Sequence, residues 1–172
     1  MNFFFSDRDR RSTEALGRYI CDSAAVDNSL LLGGFVREEL QGIIYVTPLE
    51  TTKNRDENAI ANLESKLARS LSGKALKRME IYSKFKDANK PSKPHFYVNM
   101  LGVNPDCQRT GIGRKLLEHV HILSDKHSKS VGVALDTQTQ SNVAYYQKLG
   151  YRVSSTENLD RLKNWFMFRA RA

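Results

Sequence analysis

Val103-Asn104-Pro105-Asp106-Cys107-Gln108-Arg109-Thr110-Gly111-Ile112-Gly113-Arg114-Lys115-Leu116-Leu117 (residues 103–117) joins an apolar run to an amphipathic one. The run before it, His95–Val103, reads as a buried strand, and Asn104-Pro105-Asp106 read as the turn that ends it. After the turn, Ile112, Leu116, Leu117, Val120 and Leu123 recur at helical spacing. A strand therefore runs through a glycine-bearing turn straight into a helix N-terminus. The first helical turn has unpaired N–H groups and a partial positive charge, which together make an anion site. Gly111 and Gly113 lack Cβ and let a ligand approach the backbone, and Arg109, Arg114 and Lys115 add charge beside them. The junction suits a diphosphate.

Spacing excludes two common phosphate loops. A dinucleotide fingerprint needs a third glycine where Leu116 stands, and a P-loop needs Gly-Lys-Ser/Thr where Gly113-Arg114-Lys115 stands. Gly-x-Gly alone reads as an ordinary strand-turn-helix with glycines for tight packing. The full string Gln108-Arg109-Thr110-Gly111-Ile112-Gly113 behind Leu101-Gly102-Val103-Asn104-Pro105 is far more specific. It resembles the acetyl-CoA-binding motif of the GNAT-type N-acetyltransferase superfamily, Gln/Arg-x-x-Gly-x-Gly/Ala. The resemblance implies that Gln108, Arg109, Thr110, Gly111, Ile112, Gly113 and Arg114 line the CoA pyrophosphate. It also implies that Leu101 and Val103 offer backbone groups to the pantetheine arm.

A second string, Ser141-Asn142-Val143-Ala144-Tyr145-Tyr146-Gln147-Lys148-Leu149-Gly150-Tyr151, is similar to the C-terminal motif of the same family. By that resemblance Asn142 contacts the cofactor and Tyr146 is the general acid that protonates the CoA thiolate as it leaves. An expelled thiolate in a dry pocket requires such a donor. Successive helical residues point about 100° apart, so one of Tyr145 and Tyr146 is expected to face the cofactor while the other packs. The register favours Tyr146. The base is less clearly written. Related enzymes often carry a Glu on the strand before the loop, but Phe96–Val103 holds no carboxylate and has Asn99 where one would be sought. Asp136, expected at the end of the next strand, is the candidate for substrate contact or water-mediated base, with a loop-capping Asp as the equal alternative. Direct attack by an amine that is already neutral is also allowed.

The fold that the resemblance implies is α/β (α+β): a mixed central sheet flanked by helices, with a helical hairpin inserted before the central strand. At 172 residues, 40% of them hydrophobic, a single globular acetyltransferase domain over residues 1–172 is expected, with its N-terminal strand and helix region shortened to Asn2–Phe5 and one helix. That helix is Ser6–Ala25, and the interleaved acids in Asp7–Arg11 favour a solvated first turn over a nucleic-acid arm. Leu30–Val36 and Leu40–Val46 form a hairpin, with a bulge at Gly33-Gly34 and Pro48 after its second strand. Asp56–Ser72 and Ala75–Asp87 have helical periods punctuated by Ser72-Gly73. Beyond the central helix come a strand at Val131–Leu135, a polar loop at Asp136–Ser141 and a helix at Asn142–Leu149. That helix is capped by Ser141 or Asn142 and stopped by Gly150. Two short strands, Tyr151–Ser154 and Trp165–Phe168, follow, joined by a charged loop.

A formal charge of +8 suits anionic partners, and the spread of lysines and arginines reads mostly as a solvated surface. Cys21 and Cys107 have no paired spacing, so neither a disulfide framework nor a zinc site is expected, and no metal. Phe3-Phe4-Phe5 is too short for a signal or membrane segment, which fits a cytoplasmic enzyme. The expected partners are acetyl-CoA and an amine acceptor of unknown identity, with no membrane or nucleic acid, and a homodimer stays open. The leading function is acetyl transfer from acetyl-CoA to a primary amine by direct attack. Cys107 is disfavoured as an acyl-carrying nucleophile, because no His or acid partners it in sequence. The alternatives are a non-catalytic CoA-binding or sensor domain and, ranked last, a basic nucleic-acid-binding protein.

Overall fold

A computed structural model describes residues 10–49 and 56–172. The expected Asn2–Phe5 segment, the aromatic run Phe3-Phe4-Phe5 and the start of the first helix with Arg8 lie outside the described residues. The elements run α1 (Arg10–Val26), β1 (Leu30–Val36), β2 (Glu39–Thr47), α2 (Glu57–Ser70), α3 (Gly73–Asn89), β3 (Phe96–Val103), α4 (Ile112–Lys126), β4 (Gly132–Thr137), α5 (Gln140–Gln147), β5 (Arg152–Leu159) and β6 (Leu162–Ala170). The chain forms two compact units: one contains α1, α2 and α3, and the other contains the sheet with α4 and α5.

In the helical unit, Asp56 caps α2 by accepting the Ala59 amide at 3.0 Å, and the Ser72 hydroxyl accepts the Ala75 amide at 3.2 Å. Leu67, Leu71 and Ala75 are buried there, with Ala15, Leu16, Tyr19, Leu76 and Met79 packed against them.

The other unit is a six-stranded mixed sheet in the order β1-β2-β3-β4-β6-β5. All neighbours pair antiparallel except β3 and β4, which are parallel and joined through α4. A parallel pair requires such a crossover, and the glycine turn supplies its entry. The bulge expected at Gly33-Gly34 of β1 falls on the partner strand instead: Gly34 pairs with Gly42 and Phe35 with Leu40, which leaves Gln41 of β2 as the extra residue. One sheet face carries the main core. Ile44 and Val46 of β2, Phe96 and Val98 of β3, Val133 and Leu135 of β4 and Met167 of β6 pack with Leu117 and Val120 of α4.

Three boundaries differ from the sequence reading. β4 continues through Thr137, so Asp136 lies inside the strand, opposite Phe166 of β6, and not in a loop beyond it. The cap of α5 is Thr139, not Ser141 or Asn142. The last two strands run to Leu159 and from Leu162, a tight hairpin in place of a long charged loop. The first depends on distant partners, Phe166 and Trp165 of β6, whereas the cap and the hairpin turn are local.

Candidate active site

β3 and β4 pair over only three positions, Phe96–Val133, Tyr97–Ala134 and Val98–Leu135. Beyond them β3 stays with β2 while β4 stays with β6, so the two parallel strands diverge. The divergence begins at a bulge. Tyr45 pairs with Met100 and Val46 with Val98, which leaves Asn99 as the extra residue on β3. A bulge bends a strand and shifts its alternation by one residue. Before it, Phe96 and Val98 face the core under α4. After it, Leu101 and Val103 take that face instead, where Val103 Cγ2 lies 3.3 Å from the Cβ position of Gly113. Asn99 itself donates from Nδ2 to Thr47 Oγ1 at 2.7 Å.

The turn after β3 is pinned to the hairpin by Gln41. Its side-chain oxygen accepts from Asn104 Nδ2 at 2.7 Å and from the Cys107 thiol at 3.3 Å, and its backbone carbonyl accepts the Asn104 amide at 2.8 Å. Pro105–Cys107 make one short 3₁₀ turn, and the Thr110 hydroxyl donates back to the Cys107 carbonyl at 2.6 Å. Gly111 then takes φ +93°, the left-handed region that a side chain resists. Its conformation starts α4 with no side-chain cap, so no side chain closes off the N-terminal amides of that helix. Arg114 is exposed and ion-paired with Glu118 at 2.7 Å.

A cleft of about 730 Å³ opens at this point. It is lined by Leu101 and Val103 of β3, by Gln108, Arg109, Gly111, Ile112, Gly113 and Arg114 of the turn and helix, and by Asn142 and Tyr146 of α5. Ten residues singled out by two separate sequence motifs thus share one cavity. Cys107, Ser141 and Tyr145 also line it, whereas Thr110 and Asp136 do not. Both tyrosines reach the cleft, and their rings sit 5.3 Å apart at 62°. The expectation that one of them would turn away is corrected: they lie on a short helix set beside the opening, and both rings fit its wall.

Thr139 accepts the Asn142 amide through its side chain, and Asn142 Nδ2 donates to Thr137 Oγ1 at 3.0 Å, tying α5 to the end of β4. Tyr146 is nearly buried and packs edge-on against Tyr151, with ring centroids 5.7 Å apart. Burial pushes its phenol up to about 12, with Tyr145 and the Asp136 carboxylate adding to the shift. Burial likewise raises Tyr145 and Tyr151. The Tyr151 hydroxyl is hydrogen-bonded to His121 Nε2 at 2.9 Å, and burial first, then the Arg169 charge, pulls His121 down to about 4.

Asp136 is held on the opposite sheet face. It accepts from the Tyr97 hydroxyl at 2.6 Å and from Gln138 Nε2 at 3.0 Å, and Gln138 also donates to Asn164 Oδ1 at 2.6 Å. Tyr97, Gln138, Asn164 and Gln41 were not singled out from sequence. Each is defined by a partner on another strand, and no local motif marks it. Among the described residues no group of three or more His, Cys, Asp or Glu side chains is placed to hold a metal, and no helix is long and apolar enough to cross a membrane.

Residues 74–153 match the family model described as acetyltransferase (GNAT) domain. The matched stretch, just under half of the chain, is similar to that domain. No curated protein matches the sequence. Solved structures do share the fold. The Corynebacterium glutamicum protein described as histone acetyltransferase HPA2 and related acetyltransferase is 16% identical, over 94% of this chain and 75% of that one, with a TM-score of 0.64. Ard1 from Thermoplasma volcanium is 13% identical, over 89% and 78%, with a TM-score of 0.56. A putative streptothricin acetyltransferase from Bacillus anthracis, in complex with acetyl coenzyme A, is 10% identical, over 83% and 62%, with a TM-score of 0.52. At such identities the likeness is one of fold. The GNAT match spans the turn, α4, β4 and α5, the elements that build the cleft.

Proposed function

We propose that the chain transfers an acetyl group from acetyl-CoA to a primary amine by direct attack, with no acyl-enzyme intermediate. One observation carries this reading: an uncapped helix N-terminus, a diverged strand edge and a buried phenol open into a single cleft. The amides at the start of α4, with Gln108 and Arg109 before them and Arg114 beside them, would hold the cofactor's diphosphate, while Thr110 braces the turn through the Cys107 carbonyl. Leu101 and Val103 lie beyond the last β3–β4 pair, so their backbone would be offered to the amide-bearing arm of the cofactor. Asn142 would steady the same arm. This binding mode also fits the Bacillus anthracis fold neighbour, which is in complex with acetyl coenzyme A.

The reaction needs two proton movements. The amine nitrogen forms a bond to the thioester carbon, the carbon–sulfur bond breaks, and the nitrogen gives up a proton. Asp136, or a water it orients, would receive that proton or hold the incoming ammonium. Tyr146 would donate its hydroxyl proton towards the departing sulfur. With its pKa pushed up to about 12, it stays protonated across the working range and so keeps a hydroxyl proton to offer the developing thiolate. Cys107 lines the cleft at the diphosphate end, where it has no role as an acyl carrier. Free Cys21 and Cys107 suit a reducing, cytoplasmic setting.

Thiol release from acetyl-CoA in the presence of a panel of primary amines tests the reading. The expected result is amine-dependent release that falls roughly a hundredfold in Tyr146→Phe, with the affinity for acetyl-CoA changed only a few-fold. Binding of acetyl-CoA with no release on any amine would favour the sensor alternative.

A further inference from the structure

Thr47 and Tyr97 pair across β2 and β3 on the sheet face opposite the main core. They line a second cavity of about 320 Å³, walled by the segment Lys90–His95 together with Pro48 and Leu49. This cavity is coupled to the strand divergence through both residues. The Tyr97 hydroxyl donates to Asp136 at 2.6 Å, and Thr47 Oγ1 accepts from Asn99, the bulged residue, at 2.7 Å. A molecule seated here is therefore bounded by the side chains that brace the proposed reaction centre.

The charge of the wall is one-sided. Lys90 and Lys93 line it, and no carboxylate does among the described residues. Lys90 Nζ rests 4.7 Å from the centroid of the Tyr97 ring, so its charge stands close to that residue. His95 donates from Nδ1 to the Lys93 carbonyl at 2.8 Å, and burial, with the Lys90 charge assisting, lowers its pKa and keeps the ring neutral. Pro91 and Pro94 fix φ in the wall on either side of Lys93, which limits how far the lysine backbone can move.

We propose, building on the acetyl-transfer reading above, that this cavity seats the acceptor, and that the acceptor is an amine bearing a carboxylate or phosphate. The strand sets its length. At about 3.3 Å per residue, Tyr97 and His95 lie roughly 7 and 13 Å from Asn99. The amine reaches the divergence while its anionic group sits that far back, against Lys90 and Lys93. A short peptide with an acidic residue near its N-terminus has this shape, and so does a long ω-amino acid. A polyamine would set its own cations against two lysines.

The test uses the full chain, with acetyl-CoA and four amines: a tetrapeptide with an acidic second and third residue, the same peptide with lysines there, an ω-amino acid, and spermidine. Thiol release gives kcat/KM, and calorimetry gives acetyl-CoA affinity for the wild type, Lys93→Glu and Lys90→Gln. The expected result is preference for the acidic amines over their cationic counterparts by about tenfold. In Lys93→Glu that preference should shrink five- to tenfold through KM, with acetyl-CoA affinity unchanged. Lys93 is exposed, so this variant is not expected to disturb the fold. The peptide and ω-amino acid arms separate a polypeptide acceptor from a small one. Preference for the cationic amines, or an unaltered preference in both variants, overturns the inference while leaving acetyl transfer intact. A wild type that does not bind acetyl-CoA overturns the underlying reading as well.

Discussion

Tyr146 and His121 lie on one chain of rings, Tyr145–Tyr146–Tyr151–His121, with centroids 5.3 to 5.7 Å apart. Burial governs the titration of both, with opposite consequences. For Tyr146 the neutral phenol is favoured, so the donor persists well above its usual value of 10. The rate ratio of wild type to Tyr146→Phe is therefore expected to be constant from pH 7 to pH 10. A ratio that shrinks above pH 9 would show a phenol titrating normally and contradict this. For His121 the neutral imidazole is favoured, and its folded pKa of about 4 lies below the unfolded value near 6.5. The unfolded chain therefore binds the extra proton first. Stability from this site is fully present above pH 6.5 and is lost as the pH falls towards 4, on the order of 2 kcal/mol after allowance for solvent screening. Denaturant midpoints between pH 7 and 4.5 should fall in the wild type and fall less in His121→Gln. Equal slopes would sink the assignment. Neither effect is legible in sequence, because the histidine and the tyrosine that pairs with it stand thirty residues apart.

α4 and α5 were legible where period and glycine carried the signal, and illegible where several polar residues competed. Asp136–Ser141 offers six consecutive polar side chains, most of which can cap a helix. Pairing with β6 extends the strand through Asp136 and Thr137, and Thr139 beyond it takes the cap. Thr139→Ala is expected to cost about 1 kcal/mol by denaturant unfolding and to weaken cofactor affinity, because α5 carries Asn142 and Tyr146. No change in either would show that the cap is dispensable. Gly113 makes the complementary case. A Cβ there would meet Val103 Cγ2 at 3.3 Å and the Tyr145 hydroxyl at 3.5 Å, inside the cleft. Gly113→Ala should therefore weaken acetyl-CoA binding about tenfold while thermal unfolding moves by only a few degrees. The reverse pattern would mean that the glycine serves packing alone. β5 is the element that sequence described least well. It is an edge strand with a mostly exposed, polar face, so its pairing with β6 through Leu159 leaves no apolar alternation to read.

For the molecule as a whole, the mixed sheet and the strand-helix-strand crossover through α4 were available from residues alone, whereas the insertion of β6 between β4 and β5 was not. Nor was the opening between β3 and β4. It depends on register: one extra residue, Asn99, shifts β3 out of phase with β4 at the point where their pairing stops. The same shift turns Leu101 and Val103 towards the start of α4 and so completes the cleft. The central claim is that backbone amides after β3 hold a diphosphate while the divergence holds the thioester arm. Calorimetric titration of the full chain with acetyl-CoA, repeated with pantetheine lacking the nucleotide, tests it most directly. The account predicts one-to-one binding of acetyl-CoA that weakens as salt is raised, with at least a hundredfold loss when the diphosphate is missing. Equal affinity for the two, or no heat from acetyl-CoA at all, would contradict it.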